Sequence, residues 1–117
     1  LHGYAIAVKL VFEAEDLDSR NWVVDFGGLK EVKKWLQEKF DHKLLVAEDD
    51  PLISYFLGLH KVGGADVVVV ERVGCEAFAE MVFVYIDQWL NVQNYTPRVR
   101  LASVEVAEHG ANSAVYF

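Results

Sequence analysis

Between residues 4 and 12 the chain alternates. Tyr4, Ile6, Val8, Leu10 and Phe12 fall on one side, and Ala5, Ala7, Lys9, Val11 and Glu13 on the other. A period of two predicts a half-buried strand, with His2 on the parity of its apolar face. Residues 15–21 are polar and read as a loop. Trp22, Val23 and Val24 predict a brief strand ending at Asp25. Asp25 is a capping-type acid ahead of Gly27 and Gly28, which reads as a helix entry. Leu29, Val32, Leu36 and Phe40 then recur at helical spacing, with Lys30, Glu31, Lys33, Lys34, Gln37 and Glu38 covering the remainder. This helix ends near Phe40 and delivers Asp41 and His42 to its C-terminal edge.

Residues 47–51 form an acidic turn, and residues 52–59 a short helix. Residues 61–66, with Gly63 and Gly64, form a turn. Val67–Val70 is a strand without alternation, as expected of one buried on both faces or at an interface. A second long helix covers residues 76–90, with Phe78, Ala79, Val82, Phe83, Ile86, Trp89 and Leu90 in a broad apolar stripe. Residues 98–108 predict a strand and residues 113–117 its hairpin return. The order gives one α+β domain over residues 1–117, an antiparallel sheet with two helices on one face.

Composition narrows the function classes. Of 117 residues, 53% are hydrophobic, which supplies a core and leaves apolar surface for a subunit interface. The formal net charge is −7, and no cluster of Lys and Arg is present to follow a nucleic-acid backbone. An anionic small substrate stays compatible with an acidic protein. No apolar run approaches the length of a membrane span. A single cysteine, Cys75, excludes a disulfide within the chain and suits a reducing compartment, so a cytoplasmic location is expected.

The candidate chemistry centres on residues 40–45, Phe-Asp-His-Lys-Leu-Leu. Histidine titrates near neutrality, and an adjacent acid can orient and tune it. The same pair also suits a solvated helix end, where a cationic His is mildly favoured by the helix dipole. Gly74 and Cys75 precede the second long helix. Such a terminus favours anions and can lower a thiol pKa, although cysteines are more often inert. Val104, Val106 and Glu108 share parity, so Glu108 stands at the end of an apolar face. A carboxylate there is costly unless paired or ligand-bound. A β-bulge within this stretch would overturn that parity. The three acids at residues 48–50 read as a solvated turn, because nothing near them completes an oxygen cage.

Taken in order, these segments resemble the 6-pyruvoyltetrahydropterin synthase / 6-carboxytetrahydropterin synthase family over essentially all 117 residues. The likeness rests on Leu1-His2-Gly3 before an alternating strand, and on Trp22-Val23-Val24-Asp25-Phe26 with Leu29-Lys30. It continues through Phe40-Asp41-His42-Lys43-Leu44-Leu45 and Cys75-Glu76, and ends with Val104-Glu105-Val106-Ala107-Glu108 followed by Asn112, Ala114 and Tyr116. It is nearest to the bacterial 6-carboxytetrahydropterin synthase branch, which acts in queuosine (deazapurine) biosynthesis.

The resemblance implies a tunnelling fold, whose subunits join their sheets into a barrel. It implies a homohexamer built as a dimer of trimers, with active sites between subunits. It implies a pterin substrate and a zinc ion held by three histidines, one upstream and two in a His-Gly-His segment. By residue, His2 matches the first histidine of that segment, Asp41 and His42 match a catalytic pair, and Glu108 matches the glutamate that anchors the pterin. Gly74 and Cys75 fall where many members carry a Thr-containing segment beside the pterin. The family's N-terminal strand, its upstream metal histidine and its catalytic cysteine would precede Leu1. Tyr4 replaces the second histidine of His-Gly-His, and phenol is a poor neutral ligand for zinc.

Overall fold

The computed structural model describes Gly3, residues 5–108 and residues 112–117. His2 and Tyr4 lie outside the described residues. Among the described residues five strands and three α-helices follow in the order β1 (Ile6–Ala14), α1 (Lys30–Phe40), β2 (Leu44–Ala47), α2 (Ile53–Lys61), β3 (Val67–Val70), α3 (Cys75–Val92), β4 (Val99–Glu108) and β5 (Asn112–Tyr116). The chain divides into two compact units. One comprises residues 1–28 and 74–117, the other residues 29–73.

The first unit holds an antiparallel sheet in the order β1-β4-β5. Ile6, Val8 and Leu10 stand opposite Glu108, Val106 and Val104 on one side of β4, while Asn112, Ala114 and Tyr116 oppose the same three residues on the other. One face of the sheet is therefore apolar along all three strands. Val99, Leu101, Val104 and Val106 are buried, as are Phe78, Ala79, Val82, Ile86, Trp89 and Leu90 of α3. The stripe on α3 recurs every three or four residues and packs against β4 and β5. The rings of Phe83 and Tyr116 meet edge to face, with centroids 5.0 Å apart.

A bulge does interrupt β4. Val11 pairs with Ser103 and Phe12 with Leu101, which leaves Ala102 unpaired. It lies upstream of Val104, so the shared parity of Val104, Val106 and Glu108 survives.

The strand expected at Trp22-Val23-Val24 does not form. The amide of Trp22 donates to the Asp18 carboxylate at 2.9 Å. The Trp22 carbonyl accepts from the Asp18 amide, and the Val23 carbonyl accepts from Arg98 Nη2 at 3.0 Å. Asp18 and the distant Arg98 thus take the groups a β-ladder would need. Arg98 also donates from Nη1 to the Asp16 carbonyl at 2.8 Å.

Asp25 caps a different element from the one expected. Its carboxylate accepts from the Gly27 amide at 2.9 Å and closes a 3-10 turn over Phe26–Leu29. Helix α1 begins after that turn without a side-chain cap.

In the second unit β2 and β3 form a separate, parallel two-stranded sheet, connected through α2. Parallel neighbours require such a crossover, and a helix supplies it. Val67–Val70 therefore belongs to this sheet, not to the antiparallel one, and α2 is a third helix. Lys43 and Asp66 form an ion pair beside the starting ends of the two strands. His60 of α2 accepts the Val67 amide on Nδ1 at 3.0 Å, which ties the helix to the first residue of β3.

Candidate functional site

Asp41 and His42 meet at the end of α1. The Asp41 amide caps the helix through the Gln37 carbonyl at 2.9 Å, and Asp41 itself turns to an extended backbone. His42 follows with φ +55°, the left-handed position that commonly closes a helix and that glycine or asparagine usually occupies. The turn lets the imidazole fold back, so that Nδ1 lies 3.0 Å from Asp41 Oδ1. With the proton on Nδ1 donated to the carboxylate, Nε2 is left free to exchange a proton. Both side chains are solvent-accessible, His42 at 93%. An exposed pair of this kind adds little to stability.

Glu108 lies in the other unit, half-buried at the last position of β4. Its backbone neighbours are Ile6 of β1 and Asn112 of β5. The first turn of α3 is close to it. Gly74 opens that helix at φ +120°, a conformation in which an L side chain is strained, and its carbonyl accepts the Phe78 amide at 3.0 Å.

Cys75 follows, half-buried and free. Burial raises its thiol pKa, and the charges of Glu108 and Glu76 raise it further, against a backbone hydrogen bond from Glu108. The lowering that a helix N-terminus can bring is therefore overcome, first by burial and then by two carboxylates. The thiol stays protonated at neutral pH and is suited to contact a ligand, not to attack one. The influence of Glu108 on Cys75 brings Gly74, Cys75 and Glu108 into one cluster.

The sequence-predicted residues thus fall into two groups. Gly74, Cys75 and Glu108 gather in the first unit, Asp41 and His42 in the second. His2 is outside the described residues, and among the described residues no three of His, Cys, Asp and Glu are grouped to hold a metal ion. Asn112, which entered the sequence analysis only as part of the resemblance, pairs with Glu108 across the β4–β5 hairpin, and that register is what places the two side by side.

A family model described as 6-pyruvoyl tetrahydropterin synthase matches residues 1–117. The chain belongs to this family. Within it, similar relatives are named 6-carboxy-5,6,7,8-tetrahydropterin synthase. The Rickettsia felis protein is 41% identical over 51 residues, which cover 43% of this chain and 37% of the relative. The Aquifex aeolicus protein is 24% identical over 118 residues, covering 99% of this chain and 73% of the relative. An uncharacterized protein from Wolinella succinogenes, known from its crystal structure, superposes with a TM-score of 0.82 at 22% identity. That match covers 99% of this chain and 78% of the other. The synthase family and its fold class therefore account for the α+β architecture.

Proposed function

We propose that this synthase-family chain is a carbon–carbon lyase acting on a pterin. Its reaction would convert 7,8-dihydroneopterin triphosphate and water to 6-carboxy-5,6,7,8-tetrahydropterin, acetaldehyde and triphosphate, in queuosine (deazapurine) biosynthesis in the cytoplasm. The observation that carries the reading is the half-buried Glu108 at the end of an apolar face, beside the opening turn of α3. A pterin ring presents two adjacent N–H donors, from its ring amide and its exocyclic amine. One carboxylate accepts both, with charge-assisted strength. A ring lacking either donor leaves the acid unsatisfied, which is a strong basis for discrimination.

Gly74 leaves the backbone bare just ahead of Cys75, and the neutral Cys75 thiol can lie against the ring without adding charge. His42, oriented by Asp41 through Nδ1, exchanges the substrate side-chain proton at Nε2. The active sites would lie between the subunits of a homohexamer assembled as a dimer of trimers.

Zinc enters this proposal through His2 alone. The described residues offer no metal group, and Tyr4 supplies a phenol where the family has an imidazole. Tyr4 is a poor fit for zinc at its place in the donor set, the remaining ligand would precede Leu1, and no step here depends on the metal. Tyr4 favours a second reading, a pterin enzyme of the pyruvoyl type with an altered metal site, or a weakly catalytic pterin-binding homologue. When bound, zinc would polarise the hydroxyls of the substrate side chain.

Mass-spectrometric identification of the product from 7,8-dihydroneopterin triphosphate separates the readings. A 6-carboxy product supports the lyase, and a pyruvoyl product the second reading. Bound pterin without turnover indicates the weakly catalytic homologue. Glu108→Gln should weaken pterin binding at least about 10-fold, the loss of one charged hydrogen bond, with little change in melting temperature. Unchanged affinity removes Glu108 from the site. Zinc content that falls on His2→Ala would support His2 as a ligand, and a fully active metal-free protein would dismiss the metal.

A further inference from the structure

His42 stands in a left-handed backbone conformation that an L side chain disfavours. A residue stays in that region only where its surroundings fix it. On the helix side α1 does so, through the Asp41 amide and the Gln37 carbonyl. On the strand side the turn itself contributes little. The Lys43 amide reaches the Phe40 carbonyl at 3.4 Å, a long bond.

Asp66 takes hold of both residues that follow His42. Its carbonyl accepts the Leu44 amide at 2.8 Å, and its carboxylate pairs with the Lys43 ammonium through Oδ2. Backbone and side chain of one residue thus hold two consecutive residues, which fixes the direction of the chain as well as its place. The Lys43 side chain is 23% exposed, against 93% for His42. The lysine is laid against the protein, and the imidazole beside it stands out in solvent.

Asp66 is itself held. The Leu44–Val67 register sets it at the entry of β3. The Val67 amide next to it donates to His60 Nδ1 at 3.0 Å, and the same nitrogen lies 3.9 Å from Asp66 Oδ1. The hydrogen bond from Lys43 keeps the Asp66 carboxyl below the ordinary carboxylate range, so the pair stays charged at neutral pH. All of these residues belong to the second unit. An ion pair open to solvent on its acidic side adds little to stability. What this one supplies is position.

We propose that Asp66 is a positioning residue for His42. Acting through Lys43 and Leu44, it holds the turn in which the imidazole meets the Asp41 carboxylate. The consequence for turnover rests on the pterin reading, in which His42 exchanges the substrate proton. The placement itself does not.

The test uses the full chain labelled with nitrogen-15, at a pH where the ring is neutral. Imidazole nitrogen shifts report which ring nitrogen of His42 carries the proton, and the spectrum of His42→Gln assigns them. In the parent the proton should sit on Nδ1, as the Asp41 contact requires. Asp66→Asn keeps the shape and the carbonyl of residue 66 and removes its charge. Lys43→Met keeps the apolar stem and removes the ammonium. Each should shift His42 toward the Nε2–H form that a free imidazole prefers. Each should lower kcat about 10-fold with KM within about two-fold, the mark of a misplaced group. The double substitution should fall no further than either single one, because the two residues act as one pair.

A general loss of stability would lower the melting temperature and leave the tautomer of the folded protein as it was. An unchanged tautomer in Asp66→Asn overturns the proposal, and so do additive losses in the double substitution. If His42→Ala silences turnover while Asp66→Asn leaves kcat intact, the positioning role falls and the pterin reading stands. If His42→Ala leaves turnover intact, the pterin role of His42 falls, and the tautomer alone decides the placement.

Discussion

His42 adopts a backbone conformation that glycine would take more easily. A non-glycine residue in the left-handed region costs about 1–2 kcal/mol, somewhat less for histidine, which is enriched there. Its exposed partnership with Asp41 returns little of that. Stability therefore does not account for this geometry, and the proton handling proposed above would. His42→Gly should leave the urea midpoint equal or raise stability by up to about 1 kcal/mol, while turnover falls about 100-fold or more. Retained turnover would return the pair to a plain helix end. Cys75 carries the opposite lesson. Its raised pKa means that thiolate appears only above the usual thiol range, so iodoacetamide should react slowly at neutral pH. Glu108→Gln removes one of the two charges that add to the effect of burial and should move the pH midpoint of alkylation downward. A midpoint that does not move would separate the two residues.

At the level of elements, α3 and β4 carry the first unit. Ile86 is fully buried in the stripe, so Ile86→Ala should cost about 2–5 kcal/mol in chemical denaturation. The Trp22 segment depends on Arg98 in place of a ladder, and Arg98→Ala should cost about 1–3 kcal/mol by leaving two carbonyls short of a donor. The strands β1, β3, β4 and β5 and all three helices were legible, because periodicity reports which side of an element is apolar. The failure at Trp22-Val23-Val24 has a physical cause. Strand propensity is decided by the partner, and Asp18 and Arg98 reached those backbone groups first. The parallel pairing of β2 with β3 was not legible, since short apolar runs carry no register. Glu108 could be read from parity alone, whereas its neighbours Asn112 and Cys75 required the sheet register and the packing of α3.

Over the whole molecule, acid acts on both units through different carboxylates. Asp66 of the second unit is held below the ordinary carboxylate range, first by its hydrogen bond with Lys43. Asp18 of the first unit is held low, first by the Trp22 amide. A carboxyl depressed on folding contributes stability that is present above its unfolded pKa, about 3.9, and lost as pH falls through the folded value. Stability should therefore decline below about pH 5. Asp18→Asn and Asp66→Asn should each flatten part of that decline, additively, because they act in separate units. An acid titration followed by circular dichroism, with each substitution alone and together, checks this.

The unpaired Ala102 has a consequence for how β4 tolerates changes of length. Upstream of it Val99 and Leu101 are buried, and downstream Val104 and Val106 are, so the extra residue sits between two correctly phased halves. Removing Ala102 restores an unbroken ladder and leaves every later side chain on its original face. Removing Ala107 turns Glu108 to the opposite side of the sheet. Single-residue deletions should therefore divide sharply. One at Ala102 should retain pterin affinity, and one at Ala107 should abolish it while the core of α3 and β4 stays in place.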